Sequence, residues 1–357
     1  MITIKNSAQI AKMREAGAML HEVLTQLRGK IQPGVTTYEL DQFAEKLIRS
    51  FGAIPSFLNY EGFPASICAS VDNQVVHGIP SKNTVLKEGQ IISVDCGLIH
   101  AGWQSDSAFT APVGKVSEEA QRLIDVTEES FFEALKVARE GNRVSDIGHA
   151  VQQYVEARGF NTVRALCGHG IGREMHEDPQ VPNYGIPGHG VRLRRGMTIC
   201  IEPMIAAGDY HVKTLRDGWT VVTRSGSVSA HFENTIAVTD DGAEILTKYI
   251  KPHSIGRLYL NFSCPLPKKA NENRRLTNIK FLEIYKEILT ADAEIHQKTD
   301  NMHFFEYSIE QYTLAGFKLK NISLDLHMSD FEGNIVTEYE RKFSSMGMPI
   351  YRLEAYI

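Results

Sequence analysis

The chain has 357 residues, 43% hydrophobic and 23% charged, which allows about two domains with full cores. Its net charge of -5 gives no broad attraction to nucleic acid or membranes, and no run of about 18 apolar residues offers a membrane span. The five cysteines (68, 96, 167, 200 and 264) are odd in number and lack CxxC spacing, which fits free thiols in a reducing cytoplasm and argues against a disulfide framework or zinc ribbon.

The N-terminal stretch MITIKNSAQIAKMREAG shows no signal-peptide pattern. Ser7 is placed to cap a helix with Ile10, Met13, Leu20, Val23, Leu24 and Leu27 at helical spacing, ended by Pro33-Gly34. Thr36-Thr37-Tyr38-Glu39 reads as a capping box for a second helix, buried along Leu40, Phe43, Leu47 and Ile48 and stopped at Gly52. Strands are expected at Ser66–Val76, Gln90–Leu98 and Gly102–Thr110. The pattern then recurs. Ser117-Glu118-Glu119 opens a helix that Gly141-Asn142 breaks, and Ser145 opens another with Ile147, Val151 and Val155 on one face. Strands follow at Met197–Glu202, Gly218–Thr223 and Glu233–Val238, so two halves each run helix, helix, strands. Composition shifts at 251–256, read as a linker between a domain at 1–250 and a module at 257–357. In that module Leu258–Phe262 and Glu294–Lys298 read as strands. Phe281, Ile284, Tyr285, Ile288 and Leu289 read as an amphipathic helix, and the alternation implies a parallel α/β sheet.

Four segments carry chemistry. In SVDCGLIHAGWQSDSAFT, a hairpin turning near His100–Gly102 sets Asp95 and Asp106 opposite each other or within one step, where a cation would relieve their repulsion. In CGHGIGREMHEDP, glycines flank His169 and allow close backbone approach, and His176 follows. In GMTICIEPM an apolar strand ends at Glu202, and in HFENTIAV Glu233 precedes one. Each alone reads as solvated or structural. Together, four carboxylates and one imidazole from both halves suit Mn, Fe, Co or catalytic Zn. Two such ions bridged by carboxylates can activate a shared water.

The segments VVHGIP, DCGLIHAGWQSDSA, GHGIGREMHEDP, IEPM, KTLRDGWT and SAHFENTIAV resemble those of type I methionine aminopeptidases. The resemblance covers nearly all of 1–250. It implies an α+β pita-bread (creatinase/aminopeptidase) fold with pseudo-twofold halves and removal of initiator methionine from nascent polypeptides, with a small second residue preferred. It implies two divalent ions (Co, Mn, Fe or Zn) on Asp95, Asp106, His169, Glu202 and Glu233, with Asp106 and Glu233 bridging. Glu202 would also shuttle a proton, and His77 and His176 would contact substrate. Tyr60, Phe63, Cys68 and Trp219 would line an apolar pocket for the methionine side chain. Met175, Phe57, His231 and Asn234 depart from the family's usual residues and bear on pocket shape and metal tuning. The expected setting is cytoplasmic, near the ribosome, with no membrane partner. A proline-directed pita-bread peptidase and a non-catalytic binding member of the fold are the competing readings.

The segment from LYLNFSCPLPKKANENRRLT to IYRLEA resembles the C-terminal half of bacterial tRNA (guanine-7) methyltransferases. The resemblance implies a partial Rossmann-like α/β half, in which Lys268, Asp300, Thr337, Glu338, Tyr339 and Glu340 would contact substrate. The loop of Lys268, Lys269, Arg274 and Arg275 would meet tRNA phosphates. Cys264 and Leu266 stand where that family has the Asp and Trp of an Asp-Pro-Trp motif. No glycine-rich strand–loop–helix precedes Leu258. The module is therefore expected to bind no S-adenosylmethionine and to present Leu258–Phe262 as an unpaired apolar edge. The alternative is a bifunctional fusion that also methylates or binds tRNA.

Overall fold

Asn6 caps the first helix, Ser7–Arg28, one residue before the expected cap at Ser7. Its side chain accepts from the Gln9 N–H, and the Gln9 side chain closes the reciprocal bond. Thr36 and Glu39 form the expected box at the start of Thr37–Ser50. Ser117 caps Glu118–Val137, with Glu118 and Glu119 at its positive end. The fourth helix, Val144–Glu156, starts one residue before Ser145. Asp146 accepts the Arg143 backbone N–H there.

The computed structural model describes residues 2–240, 242–247, 255–267, 272 and 274–357. The chain divides between 249 and 250 into two compact units.

In the first unit a nine-stranded sheet runs in the order Ile54–Pro55, Ile91–His100, Trp103–Pro112, Glu233–Thr239, Thr198–Ile201, Cys167–Gly170, Glu177–Pro182. Ile67–Val71 joins Ile91–His100, and Gly242–Ile245 joins Glu233–Thr239. One face takes the helices in two cores. Leu20, Leu27, Leu40 and Ile48 pack with Ile92, Val94, Leu98 and Phe109, and Leu123, Phe131, Ile147 and Val151 pack with Ile199, Ile201, Ile236 and Val238. Successive strand side chains alternate faces, so Asp95, Asp106, Cys200, Glu202 and Glu233 point away from the helices.

Two expectations change here. The strand foreseen over 66–76 is two, Ile67–Val71 and Gln74–Val76, because Asp72 turns the chain with φ 53°. The hairpin turns on Ala101-Gly102, φ 49° and 75°, a two-residue loop of the type that matches strand twist. That loop pairs His100 with Trp103, hence Gly97 with Asp106 and Asp95 with Ala108. Asp95 and Asp106 are therefore diagonal neighbours on one face, two residues out of register rather than opposite.

The second unit holds a four-stranded sheet in the order Ile255–Asn261, Leu289–Thr299, Tyr351–Tyr356, Lys318–Ser323. The first pair is parallel and the others are antiparallel, so the expected parallel sheet is mixed. The last strand of the chain inserts between two neighbours running the other way. Ile255–Asn261 starts inside the expected 251–256 linker, whose residues 251–254 lie outside the described ones. It is the sheet's terminal strand, as foreseen, but Arg257, Tyr259 and Asn261 alternate outward. The helix Ile279–Ile288 buries Leu282 rather than the foreseen stripe: Ile284 is 49% exposed and Leu289 begins the next strand. Leu282, Phe305, Tyr312 and Leu353 make the core. No helix among the described residues is long and apolar enough to cross a membrane.

Candidate metal centre and cavity

Five neighbouring strands of the first unit each bring one of the foreseen groups to a common face. Asp95 pairs with Ala108 and Ala108 with Glu233, so the three positions form a row across the sheet. Extending the Asn234–Ile201 pairing by one residue sets Glu233 beside Glu202. His169 lies on the next strand, where Gly170 pairs with Ile199. The flanking glycines are required. A Cβ on Gly168 would stand 2.3 Å from the Cys200 carbonyl oxygen, and one on Gly170 2.1 Å from that of Asp178.

His169 Nε2 stands 3.8 Å from Asp106 Oδ2 and 3.6 Å from Glu202 Oε1. Its Nδ1 lies 2.8 Å from the Gly170 carbonyl, a contact that puts the ring proton on Nδ1 and frees the Nε2 lone pair. Burial, then His176 nearby, pushes this imidazole down to about 4, so it is neutral at physiological pH. Burial likewise dominates at the carboxyl groups. It pushes Asp95 up to about 7 and raises Asp106, Glu202 and Glu233 well above the usual range, with mutual repulsion adding for the last three. Asp95 Oδ1, Asp106 Oδ1 and Glu233 Oε1 are buried without a hydrogen-bond partner among the described residues. A cation between these oxygens would supply the missing partner and cancel the repulsion. Asp106, His169, Cys200 and Glu233 offer ligand atoms all within 4.8 Å of one another. The residues present fit a divalent ion.

A cavity of about 910 Å³ opens over this face, lined by all five residues and by His77, His176, Tyr60, Phe63, Cys68 and Trp219. Phe63 and Trp219 meet edge to face at 5.2 Å, and Trp219 meets His77 at 6.3 Å. Burial lowers the pKa of His77 and His176. The Tyr60 hydroxyl lies 2.9 Å from His176 Nδ1. His77 has φ 58°, a costly conformation for a non-glycine residue. It is held because Gly78 lies against the Ile67–Val71 strand, where its carbonyl accepts from the Ala69 N–H. Phe57 and Met175 also line the cavity, while Asn234 instead accepts from Thr247.

Sequence reasoning left Cys200 out of the site and gave His231 only a bearing on pocket shape and metal tuning. Cys200 lies two residues before Glu202, so the period of a strand was its signal, whereas His231 ends a strand of a different sheet from that of Glu233. It also missed the segment Thr3–Lys5 at the cavity wall, where buried Lys5 pairs with Glu177 at 2.6 Å. No local pattern links residues this far apart.

In the second unit, Thr337 and Glu340 form a capping box at the start of Glu338–Ser345. The Glu340 carboxylate, fully buried, is engaged by Lys298 at 2.6 Å and by Asn334. Glu338 and Tyr339 face outward, Tyr339 alongside Phe262 and Phe343. Asp300 is half-buried at the end of the Leu289–Thr299 strand. Lys268 and Lys269 lie outside the described residues. Glu294, His296 and Glu354 also cluster, but Lys320 and Arg352 already neutralise them.

Known proteins agree with this geometry. The model of metallopeptidase family M24 matches residues 11–240, and one described as putative methyltransferase matches 209–353. The methionine aminopeptidase of Clostridium acetobutylicum is 56% identical over 247 residues, 69% of this chain and 99% of that relative. Methionine aminopeptidase 1 of Bacillus subtilis is 50% identical over 248 residues, 70% of this chain and 100% of that relative. The crystal structure of methionine aminopeptidase from Thermotoga maritima shares 46% identity with a TM-score of 0.69, covering 70% of this chain and 100% of its own. Xaa-Pro dipeptidase from Bacillus anthracis, at 23% identity and TM-score 0.57 over 69% of this chain and 62% of its own, shares the fold. The C-terminal part is methyltransferase-like. Because the matched region takes in both helix pairs and every strand that bears a carboxylate or imidazole of the site, the chain belongs to metallopeptidase family M24 and has its pita-bread fold.

Proposed function

We propose that the first unit removes the initiator methionine from polypeptides emerging at the ribosome in the cytoplasm. Asp95, Asp106, His169, Glu202 and Glu233 would hold two divalent ions for this work. The carrying observation is three buried carboxyl groups, Asp95, Asp106 and Glu233, each with an oxygen that has no partner among the described residues, on three adjacent strands facing one cavity. Ions of the Co, Mn, Fe or Zn class, when bound there, would supply a Lewis acid for the scissile carbonyl and acidify an attacking water.

The side chains do the rest. Glu202, at the end of its strand and beside the row, takes a proton from the attacking water and returns it to the leaving amine. His77 and His176 are neutral and donate to the scissile amide. With the Tyr60 hydroxyl donating to Nδ1 of His176, the ring proton sits on Nε2 and is available to substrate. Phe63, Cys68 and Trp219 enclose the unbranched thioether side chain, whose sulfur packs well on aromatic edges. A small second residue is the expected preference. For the second unit we infer no independent methyl transfer, because residues 1–249, where a cofactor-binding half would stand, form the peptidase unit. Arg275 is buried and donates to the Pro265 and Leu266 carbonyls, so contact of this unit with tRNA is left to the other basic residues of its loop.

The test compares Met-Ala and Ala-Pro peptides, with metal analysis, on wild type and Asp106→Asn. Met-Ala is cleaved preferentially and the wild type carries two ions. The variant loses ions, and its kcat/KM falls by more than the ~10–100-fold typical of outer-shell changes. Faster cleavage of Ala-Pro would favour a proline-directed peptidase. Absence of bound ions would favour a binding member of the fold.

A further inference from the structure

His231 ends the strand Ser229–His231, where it pairs with Met204. It is 1% exposed, and neither ring nitrogen has a hydrogen-bond partner among the described residues. Its Nε2 stands 3.9 Å from Glu202 Oε2 and 3.8 Å from Glu233 Oε2. These separations are too long for hydrogen bonds. They match two ligand atoms on one ion, since atoms each ~2.0–2.2 Å from a metal stand about 3–4 Å apart. His169 has the same relation to Glu202 Oε1, at 3.6 Å, and to Asp106 Oδ2, at 3.8 Å. Glu202 thus lies between two imidazoles, with one oxygen toward each.

We propose that His231 is a further nitrogen ligand, which holds through Nε2 the ion that Glu202 Oε2 and Glu233 face. The proposal rests on the metal assignment above and extends it. Coordination gives the buried imidazole the partner it otherwise lacks. Each ion then has a nitrogen donor in addition to carboxylate oxygens. A second imidazole shifts the pair away from the all-oxygen chemistry favoured by Mn and toward Fe, Co or Zn.

The experiment uses the full chain carrying isotope-labelled histidine, loaded with cadmium and read by NMR for metal–nitrogen coupling. Wild type is expected to show coupling to both His169 and His231. In His169→Gln the His231 coupling persists, and in His231→Gln it disappears. Calorimetry with Mn and with Zn is expected to show His231→Gln binding one of the two ions about 10-fold more weakly or worse, with the larger loss for Zn. Coupling to His169 alone in the wild type, or unchanged affinity in His231→Gln, overturns the proposal and leaves His231 a buried neutral imidazole packed beside the carboxylates. Failure of the wild type to bind cadmium, Mn or Zn overturns both this proposal and the metal assignment, so the two failures are distinct.

Discussion

Asp95 shows what the fold demands of its site. Burial pushes its carboxyl up to about 7 in the absence of an ion. In the unfolded chain the same group ionises near ~3.9. Across that interval the folded state binds more protons than the unfolded state, so this group's contribution to stability declines as pH rises from about 4 to about 7. His169 and His231, pushed down to about 4 and about 3, act in the opposite sense: their contribution grows as pH rises from those values to the ordinary imidazole value of about 6.5. A difference measurement separates the two. The metal-free Asp95→Asn variant is expected to gain in Tm over metal-free wild type between about pH 4 and about pH 8. Saturating divalent ion should abolish that gain, because the ionised carboxylate then has its partner. A Tm difference that does not change with pH would show that Asp95 does not carry the strain described.

Strand alternation puts apolar residues on the helices and carboxyl groups on the cavity, but His77 depends on a different device. It sits in a left-handed conformation just before Gly78, with a carbonyl that accepts from Thr220 at 3.4 Å. A Cβ on Gly78 would stand 2.5 Å from the Ala69 carbonyl oxygen and 2.8 Å from Ser70 Cα, both backbone atoms of the strand that pairs with Asp95's. Gly78→Ala must therefore push the 77–78 segment off that strand and carry His77 with it. The expected result is a fall in kcat/KM for a Met-Ala peptide of about 10–100-fold, the usual effect of a misplacement of about 1 Å. The metal content should stay that of wild type, because the carboxylate row lies on other strands. Unaltered kinetics would remove His77 from the substrate contacts.

The whole chain joins a peptidase unit to a methyltransferase-like unit, and the second begins in the middle of what would be a doubly wound sheet. In such sheets the cofactor binds at the carboxyl ends of the strands, beside a glycine-rich turn. Here the strand Ile255–Asn261 has a partner on one side among the described residues, and residues 1–249 form the other unit. Titration of the purified chain with S-adenosylmethionine is expected to give no saturable heat, and incubation with tRNA no transferred methyl group. Methyl transfer at guanine would make the chain bifunctional.

Local chemistry made much of this readable in advance. The Thr36–Glu39 box, the Ser117 cap and the acidic first turn it precedes depend on residues three positions apart, and so do the helical stripes of the first unit. The segments around Asp95, Asp106, His169, Glu202 and Glu233 each read alone as solvated or structural, and were legible as a set through the resemblance of their motifs to those of a known family. The arrangement of those segments was not. The diagonal offset of Asp95 and Asp106 follows from the register of one two-residue turn. The insertion of the final strand into a mixed sheet, and the engagement of Glu340 by Lys298, depend on contacts between elements distant along the chain. Cys200 and His231 join the site for the same reason. A side chain's face is set by alternation within its own strand, but its neighbours are set by which strands lie side by side, and that choice is made by packing of the whole core.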